Sequence, residues 1–539
     1  MRQVLSSKIS RRALHGLLAS SLALAYGFNI AQAATPKDTL VQAFAFDDII
    51  TMDPAESFEL SAGEIMGNTY DRLVRLDVKD PSQQVGDLAK SWTVSADGKT
   101  FTFELKPGLK FASGNPVTAK DAEYSLRRVV LMKSRSAFIL TQFGLKKDVV
   151  KDRIKQTGPL SLTIETDKAY ATTLVLNALT ADVASVVDKK LLQSKESNGD
   201  FGYAWMKTNY AGSGPFKIRD WRANEILVLE RNDNYYGDKP ALTRVIYRHV
   251  KESATQRLML EAGDVDVARN LEPGDLDAVS KNPEMTTASA PKGTVYYISL
   301  NQKNENLAKP EVREAFKYLV DYDAIGATLI KGIGEIRQTY QAKGVLGALD
   351  ASPYKLDVAK AKELLEKAGL KDGLSVTFDV RNTQPVTGIA ESFQQTAGQA
   401  GVKIEIIPGD GKQTLTKYRA RNHDMYIGQW GMDYWDPNSN AEAFTSNPDN
   451  GDDASVKTLA WRNAWDIPEL TAEAKAALLE RDADKRAEMY KKLQQEALDT
   501  SPFVMIFQQI EVAAYRSNVQ GLKLGPTFSS NYMFTVSKK

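Results

Sequence analysis

The chain has no cysteine, which excludes disulfides, thiolate metal sites, a cysteine nucleophile and a lipidated N-terminal cysteine. Histidine is nearly as scarce, with three in 539 residues. One of them, His15, falls in the N-terminal segment, and His249 and His423 are far apart in sequence. A catalytic histidine or a histidine-rich metal site is therefore not expected. No low-complexity tract or glycine-serine linker is present, and no internal repeat is evident. After the N-terminus nothing supplies the ~20 consecutive apolar residues that a membrane-spanning helix needs.

The first 33 residues lack acids. They carry Arg2, Lys8, Arg11 and Arg12, then an apolar run from Ala13 to about Phe28, then Ala31-Gln32-Ala33. This is the layout of a secretory signal with cleavage before Ala34. Ser10-Arg11-Arg12-Ala13-Leu14 is faintly similar to a twin-arginine signal, and both that route and ordinary unfolded secretion stay open. Removal of the four basic residues takes the formal charge from +1 to −3. A mildly acidic mature chain has no electrostatic reason to bind nucleic acid or anionic lipid. The expected location is the periplasm.

A chain of 539 residues exceeds one ordinary core, so two or more lobes are expected. Asp97-Gly98 between alternating segments predicts a hairpin, and Thr118 is placed to cap the helix that follows. A second strand-rich stretch is predicted from Gly212 through Ile226–Leu229 to Gly237. Asp357 caps a helix that Gly369 closes. A strand at Leu374–Val380, a helix to about Ala400 and a strand at Val402–Ile407 argue for an α/β lobe. The charged stretch from Ile467 to Leu498 is predicted to be helical with a solvated face.

No enzyme motif stands out. Gly409-Asp410-Gly411-Lys412-Gln413 lacks the spacing and the Ser or Thr of a phosphate-binding loop, and Gly212-Ser213-Gly214-Pro215 lacks the spacing of a hydrolase elbow. Asp449, Asp452 and Asp453 form an acidic loop that is expected to be solvated, with calcium binding as the alternative. No cofactor is expected.

The block from Leu88 to Leu126, with Trp92, Asp97-Gly98, Phe111, Ser113-Gly114-Asn115-Pro116 and the capped helix, resembles the most recognisable stretch of the family 5 extracellular solute-binding proteins, the peptide, opine and nickel class. The similarity continues in order through Gly212–Phe216 with Trp221, Arg231–Tyr236, Gly263–Asp266, Tyr296–Asn301 with Val312–Phe316, and Pro502–Gln509. The resemblance implies an α/β periplasmic binding protein clamshell of type II. Lobe I would span 34–291, with an extra subdomain at about 80–210, lobe II would span 292–507, and 508–539 would return to lobe I. It further implies a monomer that is not an enzyme, holds a small peptide-like ligand between the lobes and delivers it to the membrane permease of an ABC importer. An opine or oligosaccharide ligand, or an exported chaperone-like or enzymatic protein on the same scaffold, is the alternative.

Within Gln429–Pro437, the resemblance places Asp433 where peptide-binding relatives pair an aspartate with the ligand ammonium. Trp430 falls where they pack a tryptophan on the ligand, and Gly431 lies between the two. A cation removes the penalty of an unpaired charge in a closed cleft. The alternative is a surface turn, because Asp-Pro is a turn signal. Arg381 matches the arginine that receives a ligand carboxylate, a task suited to a planar fork. Ile427 stands where some oligopeptide binders carry another arginine, which leaves ligand length open. Phe58 to Ser61 match a segment that offers backbone hydrogen bonds. Tyr296, Tyr297 and Phe507 fall near the implied hinge, where core packing is the plainer role.

Overall fold

The computed structural model describes residues 35–77, 80–454 and 456–539. The expected export signal, including Arg11, Arg12 and Ala31-Gln32-Ala33, lies outside the described residues. Among these, no helix is long and apolar enough to cross a membrane.

Strands Ala89–Val94 and Thr100–Leu105 pair antiparallel with Trp92 opposite Phe103, and Gly98 in the turn has φ +73°, a conformation that favours glycine. Phe101, Phe103 and Leu105 are buried while Thr100, Thr102 and Glu104 alternate outward, the period of a half-buried strand. Ser161–Glu165 and Ile154–Gln156 complete this four-stranded sheet. Helix Ala119–Leu131 covers it behind a capping box, in which the Asp121 carboxylate accepts from the Thr118 N–H at 2.9 Å and its hydroxyl at 2.6 Å.

An eleven-stranded sheet forms the rest of the frame. Its path runs through Val402–Gly409, Leu374–Arg381, Met425–Gly431, Met285–Leu300, Phe503–Arg516, Val267–Ala268, Thr39–Phe44, Arg244–His249, Ile226–Arg231 and Phe216–Arg222. Gly334–Ile336 pairs off this path. Two long antiparallel strands, Met285–Leu300 and Phe503–Arg516, connect the two halves. Their register breaks between Pro291 and Val295, where proline supplies no N–H. The outer half has its own core around Phe316, Phe378 and Phe393, and the other half packs around Leu40, Phe216 and Leu229. The architecture is a two-lobed α/β clamshell with an additional subdomain.

Asp357 caps helix Val358–Lys367 by accepting from the Lys360 N–H at 2.8 Å, and Gly369 follows at φ +77°. The parallel strands Leu374–Arg381 and Val402–Gly409 flank helix Val386–Gln399. One expectation is corrected. The stretch Ile467–Leu498 contains two helices, Pro468–Leu479 and Ala483–Thr500, and the second buries Arg486, Tyr490, Leu493 and Ala497. Asp482 caps that second helix, so the break and the core-facing side together replace a single solvated face.

Candidate functional site

Leu374–Arg381 and Met425–Gly431 are parallel neighbours, with Phe378 opposite Met425. Arg381 and the Gln429–Pro437 segment therefore emerge at the carboxyl ends of adjacent parallel strands, the end at which open α/β sheets hold ligands. Trp430 pairs with Val295 and Gly431 with Thr294. The chain then leaves the sheet with the Met432 N–H donating to the Gly293 carbonyl at 3.0 Å.

Asp436-Pro437 is a helix start rather than a surface turn. Proline occupies the first turn of helix Pro437–Thr445, and Asp436 accepts from the Asn438 N–H at 2.9 Å. Proline is well suited there because its missing N–H would have no partner in the helix. The Asp436 carboxylate also pairs with Arg486 at 2.6 Å, with the two side chains 2 % and 1 % exposed.

Asp433, three residues earlier, has no such partner. Its backbone N–H donates to Ser439 Oγ at 2.9 Å, and its half-buried carboxylate has no ion pair among the described residues. Burial, followed by the charge of Glu442, pushes its pKa up to about 8, against smaller opposing effects of Ser439 and Arg462. Arg462 lies 5.9 Å from the Trp430 ring and 5.6 Å from that of Tyr418. The Trp430 Nε1 is buried without an acceptor.

Gly431 leaves room for the opposite lobe, since a Cβ there would stand 2.7 Å from Leu60 Cδ2. Leu60 opens helix Leu60–Thr69 and brings the Phe58–Ser61 segment to this motif. Ser61 is already engaged, because its hydroxyl donates to the Asp48 carboxylate. Phe58 is half-buried, with its ring 6.0 Å from Phe138. Arg381 packs its guanidinium against Gly411 and has no ion pair among the described residues. It lies within electrostatic reach of Tyr296 and Asp47.

Tyr296 stacks on Phe507 with ring centroids 4.2 Å apart. Phe507, named from the sequence as a ligand contact, is 2 % exposed and serves as the floor beneath Tyr296. Tyr297 is likewise in the core, edge-on to Phe444 and Phe503. The three aromatic residues near the crossing strands thus divide into one half-buried ring, its support and a core residue.

Sequence reasoning missed Tyr434, Gln142, Glu442 and Arg462. Tyr434 is 2 % exposed within the subdomain's core, and Gln142 Oε1 accepts from the Tyr434 hydroxyl and from Asn438 Nδ2, each at 3.2 Å. A buried tyrosine beside an aspartate has no sequence signature of its own. The two histidines serve local structure: His249 Nδ1 accepts from the Phe46 N–H at 3.0 Å, and burial lowers the His423 pKa to about 4. Asp452 in the acidic loop pairs with Arg421 at 3.0 Å and Lys303 at 3.1 Å. Among the described residues no group of three or more metal-ligating side chains is placed to hold an ion.

Comparison with known proteins places this geometry in a family. The probable D,D-dipeptide-binding periplasmic protein DdpA of Escherichia coli K12 is 28% identical over 524 residues, covering 96% of this chain and 98% of the relative. The periplasmic binding protein DppA of Helicobacter pylori, solved in complex with the peptide STSA, superposes with a TM-score of 0.81 at 24% identity, covering 93% of this chain and 98% of that one. The binding protein AgaA from A. tumefaciens R10, in complex with agropinic acid, superposes at 0.78 with 22% identity, covering 93% of this chain and 99% of that one. The profile described as bacterial extracellular solute-binding proteins, family 5 Middle, matches residues 83–452. On that match, and with a fold shared over nearly its whole described length, the chain belongs to the family 5 extracellular solute-binding proteins.

Proposed function

We propose that this protein captures a small peptide-like ligand with a free ammonium group between its lobes in the periplasm and delivers it to the permease of an ABC importer. The observation that carries this reading is the unpaired, desolvated Asp433 carboxylate, whose pKa is pushed up to about 8. A ligand ammonium restores its charge by supplying the counter-ion that the protein withholds. Trp430 packs on the ligand, Arg381 receives its carboxylate, and Tyr296 supported by Phe507 forms a wall. The names of the E. coli and H. pylori relatives, which refer to a dipeptide and a peptide, point the same way.

In this reading lobe I comprises 34–291 and 508–539, lobe II comprises 292–507, and the crossing strands provide the hinge. The subdomain spans about 80–210. Ligand contact with both lobes shifts the population towards closure by its differential affinity. The segment before Ala34 directs export and is removed, and the mature protein acts as a monomer without catalysing a reaction.

Calorimetry on a dipeptide and its N-acetylated form tests the ammonium role. The free amine should bind more tightly, and Asp433→Asn should weaken it by roughly 30- to 5,000-fold, the equivalent of ~2–5 kcal/mol. Equal binding of the two peptides by the wild type overturns the reading.

A further inference from the structure

Asp433 shares its surroundings with a second acid that the ammonium reading leaves unused. Ser439 and Glu442 are three residues apart on helix Pro437–Thr445, so their side chains are neighbours on one face, with Cβ atoms about 5–6 Å apart. The hydrogen bond from the Asp433 N–H to Ser439 Oγ, at 2.9 Å, fixes that face against Asp433. Glu442 is half-buried and has no hydrogen bond or ion pair among the described residues. Burial raises its pKa, and its charge in turn raises that of Asp433.

Two other desolvated acids of this lobe have cations of their own. Asp436 has Arg486 at 2.6 Å, and Asp379 has Lys417 at 2.8 Å. Arg462 is the cation acting on Asp433, yet its guanidinium faces the Tyr418 and Trp430 rings. Among the described residues no cation opposes burial at Glu442, so a ligand with a single ammonium answers Asp433 and leaves Glu442 without a counter-charge of its own.

We propose that Glu442 is a specificity residue for a second cationic group, so that the favoured ligands are peptides whose first residue carries a basic side chain beside its free ammonium. This rests on the Asp433 reading above and narrows it to a ligand class. The α-ammonium is held by Asp433, and the side-chain cation reaches Glu442 one helical turn along the same face.

Titration calorimetry with lysyl-alanine and its nearly isosteric neutral counterpart norleucyl-alanine tests this. The wild type should favour lysyl-alanine by about 10-fold or more, since each 1.4 kcal/mol is tenfold, and in Glu442→Gln that ratio should fall towards one. Glu442→Asp should keep part of the preference, which separates a charge effect from misfolding. Equal affinities in the wild type, or a ratio that survives Glu442→Gln, overturn the proposal. Asp433→Asn distinguishes the two layers: if it binds both peptides as the wild type does, the ammonium reading fails while the lysyl to norleucyl ratio still judges Glu442. Binding of neither peptide by the wild type overturns both.

Discussion

Two groups of buried acids in this protein meet opposite fates. At the strand crossing, Glu511 pairs with Lys292 at 2.5 Å and with Arg269, and Arg269 also pairs with Glu64 at 2.7 Å. Asn531 donates to both Glu64 and Glu511 at 3.0 Å. Burial works to raise the Glu511 pKa, but Arg269 and Lys292 overcome it and hold it at about 2. Around Asp433, burial is again the largest effect, no cation among the described residues pairs with it, Arg462 opposes burial only as a minor effect, and the Asp433 pKa rises to about 8. Desolvation is common to both, so the partners decide. The first group is complete within the chain, whereas the second, in the proposed function, is completed by a ligand.

Removing a charge should separate the two most sharply in stability. Glu511→Gln leaves Arg269 and Lys292 without their shared counter-ion inside the core, and breaking a buried pair in this way costs about 3–5 kcal/mol. Denaturant unfolding should show a large fall in midpoint. Asp433→Asn should leave the ligand-free midpoint at pH 7 unchanged or raise it, because an amide spares the native state the proton uptake that a carboxyl with a pKa of about 8 requires on folding. Equal losses in the two variants would erase the distinction.

The pH dependences should also run in opposite directions. The Glu511 pKa is depressed on folding, so its stabilisation is present above its unfolded value near 4.5 and is lost as the pH falls towards 2. The Asp433 pKa is raised, so its contribution to the ligand-free protein is present below 3.8 and is lost as the pH rises through about 8. An ammonium ligand must displace the Asp433 proton. Affinity should therefore rise with pH up to about 8, by at most tenfold per unit, and calorimetry in buffers of different ionisation enthalpy should detect proton release. A flat affinity profile between pH 6 and 8 would show that Asp433 is already charged in the free protein.

The hairpin at Asp97-Gly98, the Thr118 and Asp357 caps and the strand–helix–strand run from Leu374 were legible because each depends on local chemistry: a glycine at positive φ, a side-chain acceptor before a helix, an alternating apolar pattern. The motif around Asp433 was legible through resemblance. Its contrast with Asp436 was not, because what distinguishes the two acids is Arg486, fifty residues away on a helix whose composition reads as solvated. Asp436-Pro437 carries a turn signal in the sequence, and the structure uses the same pair to start helix Pro437–Thr445. Glu442 and Arg462 belong to the same problem: long-range partners, or their absence, set the role of a charge, and spacing does not encode them.

The smallest expected effect concerns the contact beside the proposed ligand-binding residue, Asp433. Tyr434 follows Asp433 directly, yet its ring is 2 % exposed within the subdomain's core, and its hydroxyl donates to Gln142 at 3.2 Å. Any movement of Asp433 towards a ligand therefore pulls on a side chain seated in the opposite lobe. Tyr434→Phe keeps the ring and deletes the hydroxyl's bond to Gln142 and the one it accepts from Asn438 Nδ2 at 3.3 Å; the bond to Gln142 is worth about 0.5–1.5 kcal/mol, or roughly 2- to 13-fold in affinity if it exists only when the lobes are together. Gln142 Oε1 also accepts from Asn438, so Gln142→Ala should weaken binding more than Tyr434→Phe. The double variant should lose less than the sum of the two, because one bond is counted in both. An unchanged dissociation constant in Tyr434→Phe, together with a lowered unfolding midpoint, would mean that the ring and its hydroxyl stay seated when the cleft opens. The motion would then lie in the subdomain rather than in the crossing strands.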